Sequence, residues 1–378
     1  MILRIVRSRG FIPIVLILAA LLYWKLHPSS PKVISVGYVA DPDVILWNTL
    51  AQVRESVAEV HYGDRVEVVR AEGTAVQVRA PSGAIGWIRD SRQMMDSELW
   101  GKSASLLESA RALPVQARGR TKTLSNVRVE PGRDAKRIFQ FGRGTRVLIL
   151  QRAVADASQG PEENSPEEKS PNAQEQKSKQ EDWLLVMRAM DSASSADTLL
   201  TSGGNPSEAK RATSDSVSGG PALAQTGPAT ISALSGPIAG WVLARFVELD
   251  LPGPVKDLAS SANLHVVAWF ELNRVPNGSG GEAPQYLVAG SRGGEGQVCD
   301  FTMLRVYTWG AKRTRYETAY VESDLCGRVP IRVANSAKDP EFHFPDIDEG
   351  GAERSYVMVQ TSVRRVKDSA KKPPHSRH

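Results

Sequence analysis

Apolar and polar residues alternate in two separate parts of the chain, and each part ends in Gly-Trp followed by an apolar residue. In the first part, RVEVVRA (65–71) and AVQVRAP (75–81) precede GWI at 86–88. In the second part, KRIFQFGRGTRVLILQRA (136–153) lies far ahead of GWV at 240–242. Alternation with a period of two predicts half-buried strands, and the glycine-containing turns between them predict hairpins. The pattern therefore predicts two small units built from short strands.

Two polar segments account for the greater length of the second part. Residue 46 lies 40 positions before the first Gly-Trp, whereas the matching residue 127 lies 113 positions before the second. Residues 156–181 contain no large apolar side chain, and residues 191–237 are mostly Ser, Ala, Gly, Thr and Pro. Such segments cannot bury enough apolar surface to offset the entropy lost on ordering, so we predict that both are disordered. They are predicted to be loop insertions in one β unit, separated by a strand at 183–190.

The rest of the chain after residue 97 contains one predicted helix and a further set of strands. SELWGKSASLLESARA has leucines near helical spacing and is followed by Pro114, which predicts a connecting helix over 97–113. Residues 255–366 contain successive β-like runs, including the predicted hairpin LRVYTWGAKRTRYETAYV (304–321). We predict a compact antiparallel domain here. The outward positions of its hairpin are predicted to be Arg305, Tyr307, Arg315 and Tyr316.

The N-terminus combines basic residues with an apolar run. Residues 1–26 contain four basic residues and no acid, and residues 11–24 are uncharged and mostly apolar. No small-residue cleavage site follows this run, so the sequence favours an uncleaved signal anchor, with a cleaved signal peptide as the alternative. In either case the arginines stay in the cytoplasm and the remaining chain crosses the membrane.

The net charge of +5 is concentrated at the two ends of the chain. Residues 364–378 carry six basic residues and one acid, so the middle of the chain, 27–363, has a net charge of −4. A nucleic-acid-binding domain carries its positive face on the folded body. The distribution therefore argues against nucleic acid as a partner.

Both β-like parts resemble bacterial SH3-like domains. In the second part, NVRVEPG (126–132) matches the opening strand and turn of that family, FGRGTRVLIL (141–150) fits its middle strands, and Gly-Trp matches its closing strand. The first part keeps YGDRVEVV (62–69) and GWI, but VILWN stands where the family has a Leu-Arg opening. The resemblance covers residues 36–95 and 121–250.

The resemblance implies a small β-barrel that binds peptides or cell-wall peptides and that catalyses no reaction by itself. The predicted fold class is therefore mainly β, with two small SH3-like β-barrels, a C-terminal antiparallel β domain and one N-terminal transmembrane helix. The candidate ligand-binding residues in these motifs are Trp87, Trp241, Tyr62 and Arg128. A tryptophan after a close-packed glycine is also what a core requires, so Trp87 and Trp241 are either core residues or ligand platforms.

The two cysteines, Cys299 and Cys326, both lie in the C-terminal third. In an oxidising compartment an isolated pair usually forms a disulfide, and two unpaired buried thiols are the alternative. A cell-wall cysteine peptidase would instead need Cys299 as a free nucleophile, with His343 as a partner in space. No motif predicts a metal site or a cofactor, and the glycine-rich GSRGGEGQ at 290–297 does not lead into a helical pattern, which predicts a plain loop.

The sequence therefore predicts a non-enzymatic protein of the inner membrane, with a single pass and its bulk in the periplasm. Its SH3-like domains are expected to bind peptide or cell-wall (peptidoglycan) material. The alternatives are a structural scaffold subunit of an envelope protein complex and, third, the cysteine peptidase. The predicted boundaries are 1–10 for a cytoplasmic basic segment, 11–27 for the anchor, 33–95 and 119–251 for the SH3-like domains, 97–113 for the helix, 255–366 for the C-terminal domain and 367–378 for a disordered basic tail.

Overall fold

The computed structural model describes residues 31–157, 180–189, 237–334 and 339–366. It is mainly β, with three antiparallel sheets and two short helices. Residues 31–39 and 43–94 form one compact unit, and residues 40–42 together with those described after 94 form another. The predicted anchor at 11–27, the basic segment at 1–10, the tail at 367–378 and nearly all of both predicted insertions lie outside the described residues.

The first sheet shows the predicted alternation. In β4, Val66 and Val68 point into an apolar core that also contains Leu46 and Ile88, while Arg65 and Glu67 point away from it. The strands follow the order β3-β2-β6-β5-β4-β1-β7. Their bounds are β1 Ser35–Val39, β2 Asp43–Trp47, β3 Ser56–His61, β4 Arg65–Glu72, β5 Ala75–Arg79, β6 Ile85–Ile88 and β7 Met94–Asp96.

The second sheet repeats the first, strand for strand. Its order is β10-β9-β13-β12-β11-β8-β14, which is the first order with seven added to each number. The pairing of the fourth and fifth strands is irregular at the same place in both sheets, next to Arg70 in the first and next to Gln151 in the second. Its strands are β8 Ala117–Thr121, β9 Ser125–Arg128, β10 Arg137–Phe141, β11 Arg146–Asp156, β12 Gln180–Arg188, β13 Ala239–Leu243 and β14 Val247–Leu249.

Helix α1, Ser97–Arg111, packs on the second sheet. Asp96 caps its N-terminus by accepting a 2.7 Å hydrogen bond from the Leu99 N–H. Leu106, Leu107 and Ala110 lie against the apolar side chains of β12 and β13. The helix therefore covers the outer face of that sheet, within the segment for which the sequence predicts a helix.

The third sheet is an antiparallel meander with apolar residues on both faces. Its path is β15-β16-β17-β18-β20-β21-β22, and β19 pairs with β20. One face encloses a core with Phe301, Phe342, Phe344 and Tyr356, and the other is covered by helix α2, Gly253–Ser261. The strands are β15 His265–Pro276, β16 Glu282–Ser291, β17 Phe301–Gly310, β18 Arg315–Gly327, β19 Arg332–Ala334, β20 Glu341–Asp346, β21 Ala352–Val359 and β22 Ser362–Val366.

Buried polar contacts join the second and third sheets. The Gln116 carbonyl accepts from the Trp269 N–H at 2.9 Å, and the Gln116 side-chain amide both accepts from and donates to the Ile331 backbone, at 2.7 and 3.1 Å. Arg152 reaches from β11 to Asp300, with 2.9 Å between Nη1 and Oδ1. Arg152 also pairs with Asp182 of β12 at 2.6 Å. Because these groups are buried, their hydrogen bonds fix how the two sheets pack.

The predicted disulfide joins Cys299 to Cys326. Cys299 stands just before β17 and Cys326 lies near the end of β18, so the bond ties the start of the hairpin to its end. It also anchors the loop that presents the Gln297 carbonyl to Arg152, at 3.1 Å from each Nη.

Three findings refine the sequence predictions. Hydrogen bonding leaves each of the first two sheets as an open path among the described residues, with no closed barrel. Strands β11 and β12 extend to Asp156 and from Gln180, so they enter the ends of the segment predicted to be disordered. Within the part of the chain described here, no helix has the length and apolar character to cross a bilayer.

The prediction that Tyr307 points outward is wrong. Its side chain is 1% exposed, because α2 packs over that face of the third sheet. Arg305 and Tyr316 are partly buried for the same reason, whereas Arg315 is exposed as predicted.

Candidate functional site

The two Gly-Trp pairs occupy the same position in their sheets, on β6 and β13. A Cβ atom on Gly86 would lie 2.7 Å from the Leu46 Cβ, and one on Gly240 would lie 2.9 Å from the Arg128 carbonyl oxygen and closer still to Val127. No side chain fits at either glycine. Glycine therefore lets the neighbouring strand approach closely, and the next residue in each sheet, a tryptophan, points to the opposite face.

In the first sheet the tryptophan belongs to a row that crosses four strands. Trp47 pairs with Trp87, Trp87 with Gln77 and Gln77 with Arg70. Directly opposed residues of antiparallel strands share a face, so these four side chains lie together on the outer face of the sheet. Trp87 is 7% exposed, Trp47 and Gln77 are half-buried, and Arg70 is exposed. We refer to this row, with Arg54, as the tryptophan–arginine face.

Two guanidinium groups lie over the two indole rings of this face. The Arg54 Cζ is 4.5 Å from the centre of the Trp47 ring, and the Arg70 Cζ is 5.9 Å from that of Trp87. Arg70 also pairs with Glu72 at 2.5 Å. The Nε of Arg54 is enclosed and has no hydrogen-bond partner among the residues described. The face thus combines one partly accessible indole, that of Trp47, with planar cations that suit carboxylates, whereas Trp87 is buried beneath it.

Apolar side chains beside this face are exposed. Ile45 precedes Trp47 by two residues on β2, which places it on the same face, and it is 42% exposed. Val53 and Val57, in and after the loop between β2 and β3, are also exposed. The outer face of the first sheet is therefore open to solvent in this region.

The same row of the second sheet is covered. There Arg128 pairs with Trp241, Trp241 with Leu185 and Leu185 with Gln151. Leu185 and Trp241 are buried with Ala110 of α1 in one apolar cluster. In this copy the tryptophan is part of a core formed between the sheet and the helix.

The predicted site residues divide between the two sheets. Trp241 and Arg128 are direct cross-strand neighbours in the second sheet, and Trp87 lies in the first. The Arg128 guanidinium donates to the Ala135 carbonyl, and burial lowers the pKa of Arg128. Tyr62 is half-buried in the turn after β3.

Sequence reasoning missed Trp47, Arg54 and Arg70. The available signal was the tryptophan in VILWN, where the first part departs from the SH3-like pattern. The alternation along β2 and β6 places Trp47 and Trp87 on the side opposite Leu46 and Ile88, which point into the core.

A second group on the outer face could hold a metal ion. One ligand atom each from Asp43, Glu59 and His61 lie within 4.8 Å of one another, and all three residues are exposed. His61 Nδ1 is 2.9 Å from Asp43 Oδ1, and this hydrogen bond raises the pKa of His61. No short motif marks this group, because Asp43 lies on β2 and faces His61 across the pairing with β3.

Comparison with protein-family models, with curated proteins and with solved structures found no match.

Proposed function

We propose that this chain is a non-enzymatic, membrane-anchored protein of the cell envelope that binds peptide or cell-wall material through the tryptophan–arginine face. In this proposal the first two sheets are SH3-like modules, residues 11–27 are the anchor and the bulk of the chain lies in the periplasm. The chain would be a single-pass protein of the inner membrane.

The observation that carries the proposal is the row formed by Trp47, Trp87, Gln77 and Arg70. Binding sites combine aromatic surface with a few polar groups that fix orientation. Indoles can stack on sugar rings or peptide planes, and guanidinium groups form paired hydrogen bonds with carboxylates. Cell-wall peptides carry such carboxylates, so one face offers both kinds of contact.

Differences between the two copies support the first sheet as the ligand-binding one. At the positions of Leu185 and Met187 on β12, the first sheet has Gln77 and Arg79 on β5. Leu185 and Met187 pack in the apolar cluster with α1. Gln77 and Arg79 leave the first face polar enough to remain in water, and Arg79 forms an ion pair with Glu67 at 2.8 Å, so Gln77 is the group of the two that can turn to a polar ligand.

The test is co-sedimentation of the purified full-length chain with purified peptidoglycan. We expect Trp47→Ala and Arg70→Ala each to weaken binding about 5- to 30-fold, which corresponds to about 1–2 kcal/mol for one stacking or charged contact. Arg92→Ala is the matched control, because its side chain is 85% exposed and it removes the same charge from the same unit. Circular dichroism checks that each variant is folded.

Wild-type protein that stays in the supernatant would refute cell-wall binding. Equal binding by Trp47→Ala and Arg92→Ala would show that the ligand contacts another surface.

A scaffold role in an envelope protein complex is the second candidate, favoured by the exposed apolar residues Ile45, Val53 and Val57. A protein partner would cover such a patch. A photo-crosslinker at residue 53, used in intact cells, distinguishes the two. Capture of one defined protein, together with no binding to peptidoglycan, would support the scaffold.

A peptidase role would need a free thiolate at Cys299. In this structure the sulfur of Cys299 is bonded to Cys326, so attack on a substrate would first require reduction of that bond.

A further inference from the structure

Three side chains that can bind a metal ion meet on the outer face of the first sheet, where β3 is the edge strand. Asp43 of β2 pairs with His61 of β3, and Glu59 lies two residues before His61. Residues two apart on a strand point to the same side, and directly opposed residues share a face. Val44 and Val60, the alternate residues of these strands, point into the core instead. The register therefore brings one imidazole and two carboxylates to one place on the surface.

The ligand atoms of these residues are close enough together for a single ion. One atom from each residue lies within 4.8 Å of the other two, and His61 Nδ1 is 2.9 Å from Asp43 Oδ1. Zn²⁺ holds nitrogen and oxygen ligands at about 2.0–2.2 Å, which places neighbouring ligand atoms of a tetrahedral site roughly 3.4 Å apart. An ion between His61 and Asp43 would replace the proton that they share, with little movement of either side chain. Glu59 is exposed, so its side chain is free to turn through the remaining distance.

The carboxylates around His61 lack a lysine or arginine to balance their charge. Among the described residues, neither Asp43 nor Glu59 forms an ion pair with such a cation. The same holds for Asp64, whose carboxylate accepts a 2.8 Å hydrogen bond from the His61 N–H. Other acids of this unit, such as Glu67, do pair with arginines. Neighbouring carboxylates repel one another, and a divalent cation between them removes that repulsion.

The types of ligand select the class of ion. Imidazole suits the divalent transition metals, Zn²⁺ among them, whereas Mg²⁺ and Ca²⁺ are held by oxygen atoms. A histidine with two carboxylates is therefore a better match for Zn²⁺ than for Mg²⁺ or Ca²⁺. Three protein ligands also leave one position of a tetrahedral ion for water or for another ligand.

We propose that Asp43, Glu59 and His61 bind one divalent transition-metal ion of the Zn²⁺ class, with one coordination position open to solvent. Ile45 and Trp47 lie on the same face of β2 as Asp43, so the ion would lie beside the tryptophan–arginine face. At the usual rise of a strand, the backbones of Asp43 and Trp47 are about 13 Å apart. Metal binding here does not require that face to bind cell-wall material, so the two proposals are tested separately.

The test is calorimetric titration of the metal-free full-length chain, with Zn²⁺ in one arm and Mg²⁺ in the other. We expect His61→Ala, Asp43→Asn and Glu59→Gln each to weaken Zn²⁺ binding about tenfold or more, because each removes a direct ligand and even outer-shell partners are worth about 10–100-fold. Mg²⁺ should bind more weakly than Zn²⁺, since it does not favour imidazole. The series is repeated with His375→Ala and His378→Ala, because these two histidines near the end of the chain can also bind Zn²⁺.

His265→Ala is the matched control, since it removes an exposed histidine from a strand of the third sheet. Glu59→Gln changes only the charge of an exposed side chain, so it remains informative if His61→Ala unfolds. Equal Zn²⁺ affinities for His61→Ala and His265→Ala would overturn the proposal and leave an ordinary histidine–aspartate pair. Zn²⁺ binding that disappears when the two histidines near the C-terminus are replaced, or tighter binding of Mg²⁺ than of Zn²⁺, would also overturn it.

Discussion

Replacing Arg152 with methionine should destabilise the unit that contains the second and third sheets. The Arg152 side chain is 5% exposed and contacts Asp300 and Asp182, which belong to different sheets. Methionine keeps most of the apolar stem, so the change removes mainly the charge and its hydrogen bonds. Asp300 and Asp182 then lose the one cation that, among the described residues, contacts both of them.

The cost follows mainly from Asp300. Its side chain is 2% exposed, and its second oxygen already accepts from the Val329 N–H at 2.9 Å, so it cannot turn to water without losing that bond. Removing one partner of a buried ion pair costs about 3–5 kcal/mol. For a unit of this size, such a loss lowers the melting temperature by about 6–20 °C. Burial already raises the pKa of Asp300 with Arg152 present, so the deficit should shrink at acid pH, where the carboxylate takes up a proton.

The assay is thermal unfolding of the full-length chain, followed by circular dichroism at neutral pH. Arg120→Met is the matched control, because Arg120 pairs with Asp250 at 2.9 Å but is 52% exposed. Water and salt screen a pair of that kind, so its loss should have little effect on stability. The double change Arg152→Met with Asp300→Asn should recover much of the loss, since the carboxylate that remains, Asp182, is 17% exposed and can be hydrated. Equal melting temperatures for Arg152→Met and Arg120→Met would refute the reasoning.

Two further predictions concern the second sheet. Glu181 is 2% exposed, and its hydrogen bond from Arg133 is the main reason that its pKa falls from 4.5 to about 2. A depressed acid pKa stabilises the fold above pH 4.5, so about 3 kcal/mol should be lost as the pH falls from there through 2. Urea unfolding across that range should show a shallower loss in Glu181→Gln, and identical pH profiles would contradict the assignment. Gly240→Ala should lower the free energy of unfolding by about 1–3 kcal/mol, because the new Cβ would overlap the Val127 side chain and the neighbouring backbone. Gly101→Ala, in α1 with nothing within 4 Å, should instead stabilise by about 1 kcal/mol, and the reverse ranking in urea unfolding would be evidence against the close-packing argument.

The duplicated sheet could be recognised from the sequence because its signals are local. The alternation along β4 and the glycine before each tryptophan depend on neighbouring residues alone. Matching Leu46 with Val127 also proved correct, since these two side chains contact Gly86 and Gly240 respectively. The extra residues between Val127 and Gly240, relative to the first copy, therefore lie mainly in the connections from β11 to β12 and from β12 to β13.

The rest of the fold depends on contacts between distant residues. Gln116 and Ile331 are 215 positions apart, and Arg152 and Asp300 are 148 apart, so no short pattern predicts that they meet. Helix α2 was missed because it is only nine residues long, and its presence is what buries Tyr307. The tryptophan–arginine face was missed for a related reason. Trp47 and Trp87 become neighbours only when β2 pairs with β6, and their register cannot be read from either strand alone.

The two copies of the sheet also differ in what their outer faces can do. A helix can pack only on a surface that loses water at little cost, and Leu185 and Met187 provide such a surface under α1. At the same positions the first sheet has Gln77 and Arg79, and Arg79 pairs with Glu67 at 2.8 Å. Packing a helix on them would remove water from an amide and an ion pair, which is unfavourable. The second copy uses its outer face for internal packing and is joined to the third sheet through Gln116 and Arg152. The first copy has no such helix on its own face among the residues described, and its half-buried Trp47 and exposed Arg70 would gain most from a ligand that stacks and carries negative charge. The divergence at these few positions is therefore what the proposed division of labour requires, with one copy supporting the structure and the other binding the ligand.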